Sequence, residues 1–186
     1  MELAMWATTT ARDLLIDELP HRWAHSAGVA GRSVGLRSLL GGNAELIEAA
    51  SWVHDVGYAA PLVVSGFHPL DGAVYLRDMA GADGLLCRLV AYHTCADIEA
   101  DERGLLKELR QEFEPPPADL LRALTYCDLT TGPSGRHVSV DERLAEIHAR
   151  YGEEHLVSRS IRRATPILLE AVRSIEGQLA EEAVTE

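Results

Sequence analysis

The sequence predicts an all-α fold. Apolar residues recur at three- and four-residue spacing along most of the chain, and capping residues, glycines and prolines separate the runs. No stretch alternates apolar with polar residues as a half-buried strand does, and no segment repeats another. With 186 residues, 47% of them apolar and 25% charged, the chain has the composition of one globular domain, residues 1–186, able to bury its own core.

The first helical pattern runs from about Thr8 to Glu18, with Leu14, Leu15 and Leu19 near one face; Pro20 ends it and opens the next. From His21 to Leu40, residues such as Trp23, Ala27, Val29, Ala30, Val34 and Leu36 give a broad apolar face that Gly41-Gly42 closes. Asn43 is placed to cap a third helix, and Gly57 to stop it. Residues 58–67 read as a loop. His68-Pro69 then opens a helix to about Ala80, and Asp83 caps a segment running from Leu85 to Thr94. The stretch Glu99 to Glu114 is charged and reads as a solvated helix, broken off by Pro115-Pro116-Pro117. Ala118-Asp119 starts a helix that ends at Tyr126-Cys127-Asp128, before the Gly-rich loop 130–135. Ser139-Val140-Asp141-Glu142 is a capping box for a helix to about Tyr151. A last helical pattern spans Ser158 to Leu179, with a kink expected at Pro166.

Composition narrows the function. A net charge of −12 argues against a nucleic-acid polymer or an anionic membrane as partner, because the long-range field repels both. An anionic substrate would need a strong local positive centre, which bound metal ions supply. No apolar run approaches the roughly 20 residues of a membrane span, and no basic-then-apolar leader pattern is present, so the expected location is cytoplasmic. Cys87, Cys95 and Cys127 form no C-x-x-C pair and read as reduced, buried residues.

The chemistry centres on Ala50-Ser51-Trp52-Val53-His54-Asp55-Val56-Gly57-Tyr58, which sets an imidazole and a carboxylate side by side in the expected last turn of a buried helix. Burying both is costly unless a cation compensates them, and a divalent metal does so with one bond to each. His25, His68, His93 and Asp128 also fall near predicted helix ends, so a shared pocket between helices is geometrically accessible to all six. Taken singly, a His on an apolar helix is more often a hydrogen-bonded core residue, and His68 before Pro69 is the weakest member. His21, His137, His148 and His155 are expected at the surface. Arg22, one turn before His25, is the best candidate for meeting phosphate, and Arg136 a weaker one.

The order His25, then His54-Asp55, then Asp128 resembles that of the HD-domain superfamily of metal-dependent phosphohydrolases. The resemblance covers about residues 20–130, with residues of about 138–180 as a C-terminal helical appendage to an HD-domain-like bundle. It implies His25, His54, Asp55 and Asp128 as metal ligands. Members with two metals add the equivalents of His68 and His93, and the chain is similar to bacterial symmetrical dinucleoside tetraphosphate hydrolases. Many relatives carry Lys where this chain has Tyr58. The implied activity is hydrolysis of a nucleotide or another small phosphoester or anhydride by a metal-activated hydroxide, with Asp55, Arg22 and Tyr58 as candidate catalytic residues. Four imidazoles and two carboxylates suit one or two divalent Fe, Mn, Co, Ni or Zn ions. Two alternatives share the scaffold: an HD-type di-iron oxygenase and a non-catalytic module that binds metal or nucleotide. The oligomeric state is left open.

Overall fold

Helical periodicity in the sequence becomes a bundle in the computed structural model, which describes residues 2–185. The α-helices are Glu2–Leu15 (α1), Pro20–Val34 (α2), Arg37–Leu40 (α3), Ala44–Val53 (α4), His68–Asp78 (α5), Gly84–Tyr92 (α6), Ala96–Arg103 (α7), Leu106–Glu112 (α8), Ala118–Leu129 (α9), Val140–Tyr151 (α10) and Leu156–Thr185 (α11). Among the described residues the only β-type pairing is the isolated bridge between Thr131 and His137. None of these helices is long and apolar enough to cross a membrane.

Local chemistry accounts for most boundaries. Pro20 and Pro69 sit in the first turns of α2 and α5, where a missing N–H costs nothing. Asp83 accepts a hydrogen bond from the Leu85 N–H at 2.8 Å, and both arms of the Ser139–Glu142 capping box are formed. Elsewhere the structure departs from the sequence reading. The first helix begins at Glu2, because Ala4, Ala7 and Ala11 give it a small-residue face on which α4 packs closely. The long second pattern breaks at Gly35, and Asn43 makes no side-chain cap; a 3-10 turn, Gly41–Asn43, leads into α4 instead. The charged stretch after Glu99 is two helices split at Gly104, with Ala100 and Leu109 buried rather than solvated. Beyond them, α11 runs through Pro166 as one helix.

Packing brings distant helix ends together. The α4 helix lies against α1 and α2, α5 against α6, and α11 along α7 and α9. Two close approaches aim the site. A Cβ on Gly57 would lie 2.0 Å from the His68 carbonyl oxygen and 2.6 Å from the Gly72 nitrogen, so only glycine lets the turn Val56–Tyr58 rest on the start of α5. A Cβ on Gly28 would lie 2.4 Å from the Gly135 carbonyl oxygen, so a bare backbone on α2 admits the loop after α9.

The first contact gives a direct expectation. Gly57→Ala must push the turn off α5, costing about 2 kcal/mol as an overpacked core site does. Denaturant unfolding should show a lower midpoint, and elemental analysis should show poorer metal uptake. A variant matching the parent in both would contradict the packing argument.

Candidate metal centre

The turn after α4 delivers two of the six candidate residues. His54 caps the C-terminal end of α4 and Asp55 follows at φ −100°, so the pair lies just beyond the helix rather than in its last turn. The others come from further helix ends: His68 opens α5, His93 follows α6 directly, and Asp128 sits in the last turn of α9. His25 lies in the second turn of α2. After His93 the chain takes two left-handed residues, Thr94 at φ 52° and Cys95 at φ 58°. Such backbone strain persists only where surroundings enforce it. Here it carries the Thr94 hydroxyl to Asp128 Oδ2, at 2.5 Å.

All six candidates converge. His25, His54 and Asp55 offer ligand atoms that all lie within 4.8 Å of one another, and so do His54, His93 and Asp128, and Asp55, His68 and His93. Five of the six are buried, and His68 is partly so.

Hydrogen bonds fix how the rings face. His54 Nδ1 lies 2.8 Å from the Ser51 carbonyl oxygen, His93 Nδ1 2.6 Å from that of Val90, and His25 Nδ1 3.1 Å from that of Gly132. A carbonyl oxygen only accepts, so each Nδ1 carries the proton and donates it. Each Nε2 then turns a lone pair inward. His54 Nε2 is buried with no hydrogen-bond partner and lies 3.6 Å from Asp55 Oδ2. His25 Nε2 meets Asp128 Oδ1 at 2.9 Å, and His93 Nε2 meets His68 Nε2 at 3.3 Å. Lone pairs pointed at carboxylate oxygens or at one another repel unless a proton or a cation lies among them. This is the donor set of a metal site whose imidazoles are oriented from behind by carbonyl groups.

The electrostatics agree. Burial lowers the His54 pKa to about 4 and holds that of His68 well below its ordinary value, so both rings are neutral and available as ligands. Burial alone would raise the Asp55 carboxyl; the Arg22 guanidinium outweighs it and holds Asp55 well below the carboxylate range. Asp128 is also held well below that range against its burial, by a hydrogen bond from His25 that requires a proton between Nε2 and Oδ1 wherever no metal ion lies there.

Arg22 Nη1 donates to Asp55 Oδ2 at 2.8 Å, while its guanidinium lies 3.8 Å above the Tyr58 ring. Tyr58 in turn stacks on His68 at 3.9 Å. Position 58 has no ammonium group, but a cation lies against it all the same. Burial pushes the Tyr58 phenol well above its ordinary pKa, so it stays a hydrogen-bond donor.

Sequence reading missed Thr94 and Arg143. Arg143 is 6% exposed, with Nη2 3.7 Å from Asp128 Oδ1. Its signal was its spacing: Val140, Arg143, Leu144 and Ile147 share one face of α10. The C-terminal helices, expected as an appendage, wall the cleft through Ile147, Tyr151 and Ile161. Arg136 is exposed and lines no part of that cleft. No cysteine joins a ligand group among the described residues, and burial raises the pKa of Cys95 and Cys127. His21, His137 and His155 are exposed as expected; His148 is half-buried, its Nδ1 without a partner.

The family described as HD domain matches residues 22–132 of the chain. No curated protein and no solved structure matches it.

The depressed histidine pKa values set a pH dependence for the metal-free protein. Between the ordinary 6.5 and the folded value of about 4, the unfolded chain binds a proton at His54 that the folded chain refuses. Stability is therefore fully present above that window and falls as the pH drops through it, by roughly 3 kcal/mol for this group. His68 adds to the loss in the same direction. Denaturant midpoints of metal-free protein should fall between pH 7 and pH 4.5, a range that spans most of that window; a flat or rising midpoint would contradict neutral buried rings.

Proposed function

We propose that this chain, which belongs to the HD domain family, is a metal-dependent phosphohydrolase acting on a nucleotide or another small phosphoester or anhydride. The observation that carries this reading is the position of Asp55, common to one ligand group with His25 and His54 and to another with His68 and His93. His25, His54, Asp55 and Asp128 would hold a primary ion, and His68 and His93 a second that shares Asp55. The mixed nitrogen and oxygen donors suit Fe, Mn, Co, Ni or Zn. When bound there, such ions supply Lewis acidity and a water activated at neutral pH.

The remaining work falls to the chain's own groups. Arg22 holds Asp55 Oδ2, leaving Oδ1 on the side of His68, 3.4 Å from its Nε2. Thr94 and His25 hold the two oxygens of Asp128. Asp55 and Asp128 carry two negative charges, and Arg22 and Arg143 two positive ones, so this inner group is balanced before any ion enters. Divalent charge added to it is uncompensated, which favours an anionic substrate despite the chain's net charge of −12. The Tyr58 phenol would donate a hydrogen bond to a non-bridging or leaving oxygen. Arg22 is its cationic neighbour.

Asp55→Ala should lose metal and activity together. His68→Ala and His93→Ala should each fall towards one ion per chain while staying folded. In labelled water the released phosphate should carry one solvent oxygen, equally with and without dioxygen. Turnover that requires dioxygen would overturn hydrolysis in favour of the oxygenase alternative, and tight nucleotide binding without turnover would favour a non-catalytic module. Full metal retention in Asp55→Ala would overturn the ligand assignment.

A further inference from the structure

Thr94 and Cys95 are the only residues other than glycine with positive φ among the described residues. Thr94, at φ 52° and ψ 43°, is also β-branched, and the left-handed region brings such a Cβ against the following carbonyl oxygen. Gly or Asn would make the same turn at less cost. The two left-handed residues reverse the chain between His93, which follows α6, and Ala96, which opens α7. The turn packs against α9, the helix that carries Asp128.

What Thr94 supplies at this costly position is a hydroxyl. It lines the cleft and donates to Asp128 Oδ2 at 2.5 Å. Oδ1 of the same carboxylate has no comparable donor. His25 Nε2 lies 2.9 Å from it, but the Nδ1 proton of that ring goes to the Gly132 carbonyl oxygen, so Nε2 donates only from a doubly protonated ring. Arg143 Nη2, at 3.7 Å, is beyond hydrogen-bond reach of Oδ1. One oxygen of Asp128 is thus committed to a neutral donor of the protein, and the other is left against an imidazole lone pair. A carboxylate free at both oxygens can hold one ion through both; a carboxylate tied at one offers only the other.

We propose that Thr94 is a positioning residue whose hydroxyl limits Asp128 to one ligating oxygen, Oδ1, and keeps that oxygen beside His25 Nε2. The strained turn is the cost of placing the hydroxyl there. The inference rests on the metal-centre reading and is independent of the reaction catalysed.

The test titrates metal-free protein with Co²⁺, followed by its visible absorption, which responds to the number and type of ligands. Denaturant unfolding of the same metal-free samples reads the backbone cost. Thr94→Ser keeps the hydroxyl and should bind Co²⁺ within about threefold of the parent, with the same spectrum, well inside the loss that removing such an orienting group causes. Thr94→Ala and Thr94→Gly lack the hydroxyl and should bind about 10–100-fold more weakly, with a changed spectrum. Glycine accepts positive φ and alanine does not, so Thr94→Gly should unfold at a higher denaturant concentration than Thr94→Ala. Should Thr94→Ala fail to fold, Thr94→Ser and Thr94→Gly remain the deciding pair. Parental affinity and spectrum in Thr94→Gly, or a loss in Thr94→Ser as deep as in Thr94→Gly, overturns the positioning role while leaving the metal centre in place. A midpoint of Thr94→Gly at or below that of Thr94→Ala overturns the strained turn as its cost. Parent protein that takes up no Co²⁺ overturns the metal centre and the role of Thr94 with it.

Discussion

Three buried imidazoles spend their Nδ1 protons on main-chain carbonyl oxygens, and that commitment forces three Nε2 lone pairs into a space already holding two carboxylates. Nothing in the protein alone relieves the crowding at His54, whose inward nitrogen has no partner. An unsatisfied buried polar atom costs about 1–3 kcal/mol, and a protein keeps such an arrangement where a ligand offsets the cost. Arg22 and Arg143 compensate the carboxylates in charge, but neither can satisfy a nitrogen lone pair. A cation with several coordination positions can.

The bundle is arranged to make this crowding possible. His54, His93 and Asp128 each sit at or beside a helix C-terminus, and His68 at a helix start, so helix ends rather than helix faces build the site. For His54 and His93 the carbonyl that fixes the ring lies three residues back, in the closing turn of the same helix. The orienting group and the ligand therefore arrive together. The remaining alignment comes from bare backbone: Gly57 lets the Asp55 turn touch α5, and Gly28 with Gly135 lets the loop bearing the Gly132 carbonyl close on His25.

Much of this was legible in the sequence. The all-α class followed from periodicity, the capping box from Ser139 and Glu142, and the convergence of six candidates from their placement near helix ends together with family order. Boundaries were harder where tertiary packing decided them. Ala4, Ala7 and Ala11 in α1 are small residues among threonines and read weakly as a core face, yet α1 packs closely on α4 through them. Gly104 splits a charged run whose buried members, Ala100, Leu109 and Phe113, are few. Arg143 escaped because a charged residue after a capping box reads as solvated surface, although its three- and four-residue spacing from Val140, Leu144 and Ile147 set it on the inner face. Thr94 escaped entirely: its role depends on a left-handed backbone that no local pattern announced.

The account turns on whether a metal ion occupies the space enclosed by those lone pairs. Anomalous diffraction at the absorption edge of the bound metal, on crystals of protein purified without chelators, addresses this most directly. The account predicts an anomalous peak about 2.0–2.2 Å from His54 Nε2 and from an oxygen of Asp55, the distance range of imidazole and carboxylate ligands. Crystals without such a peak, in which an ordered water is hydrogen-bonded to His54 Nε2 and the imidazole protons have moved to suit it, would contradict it.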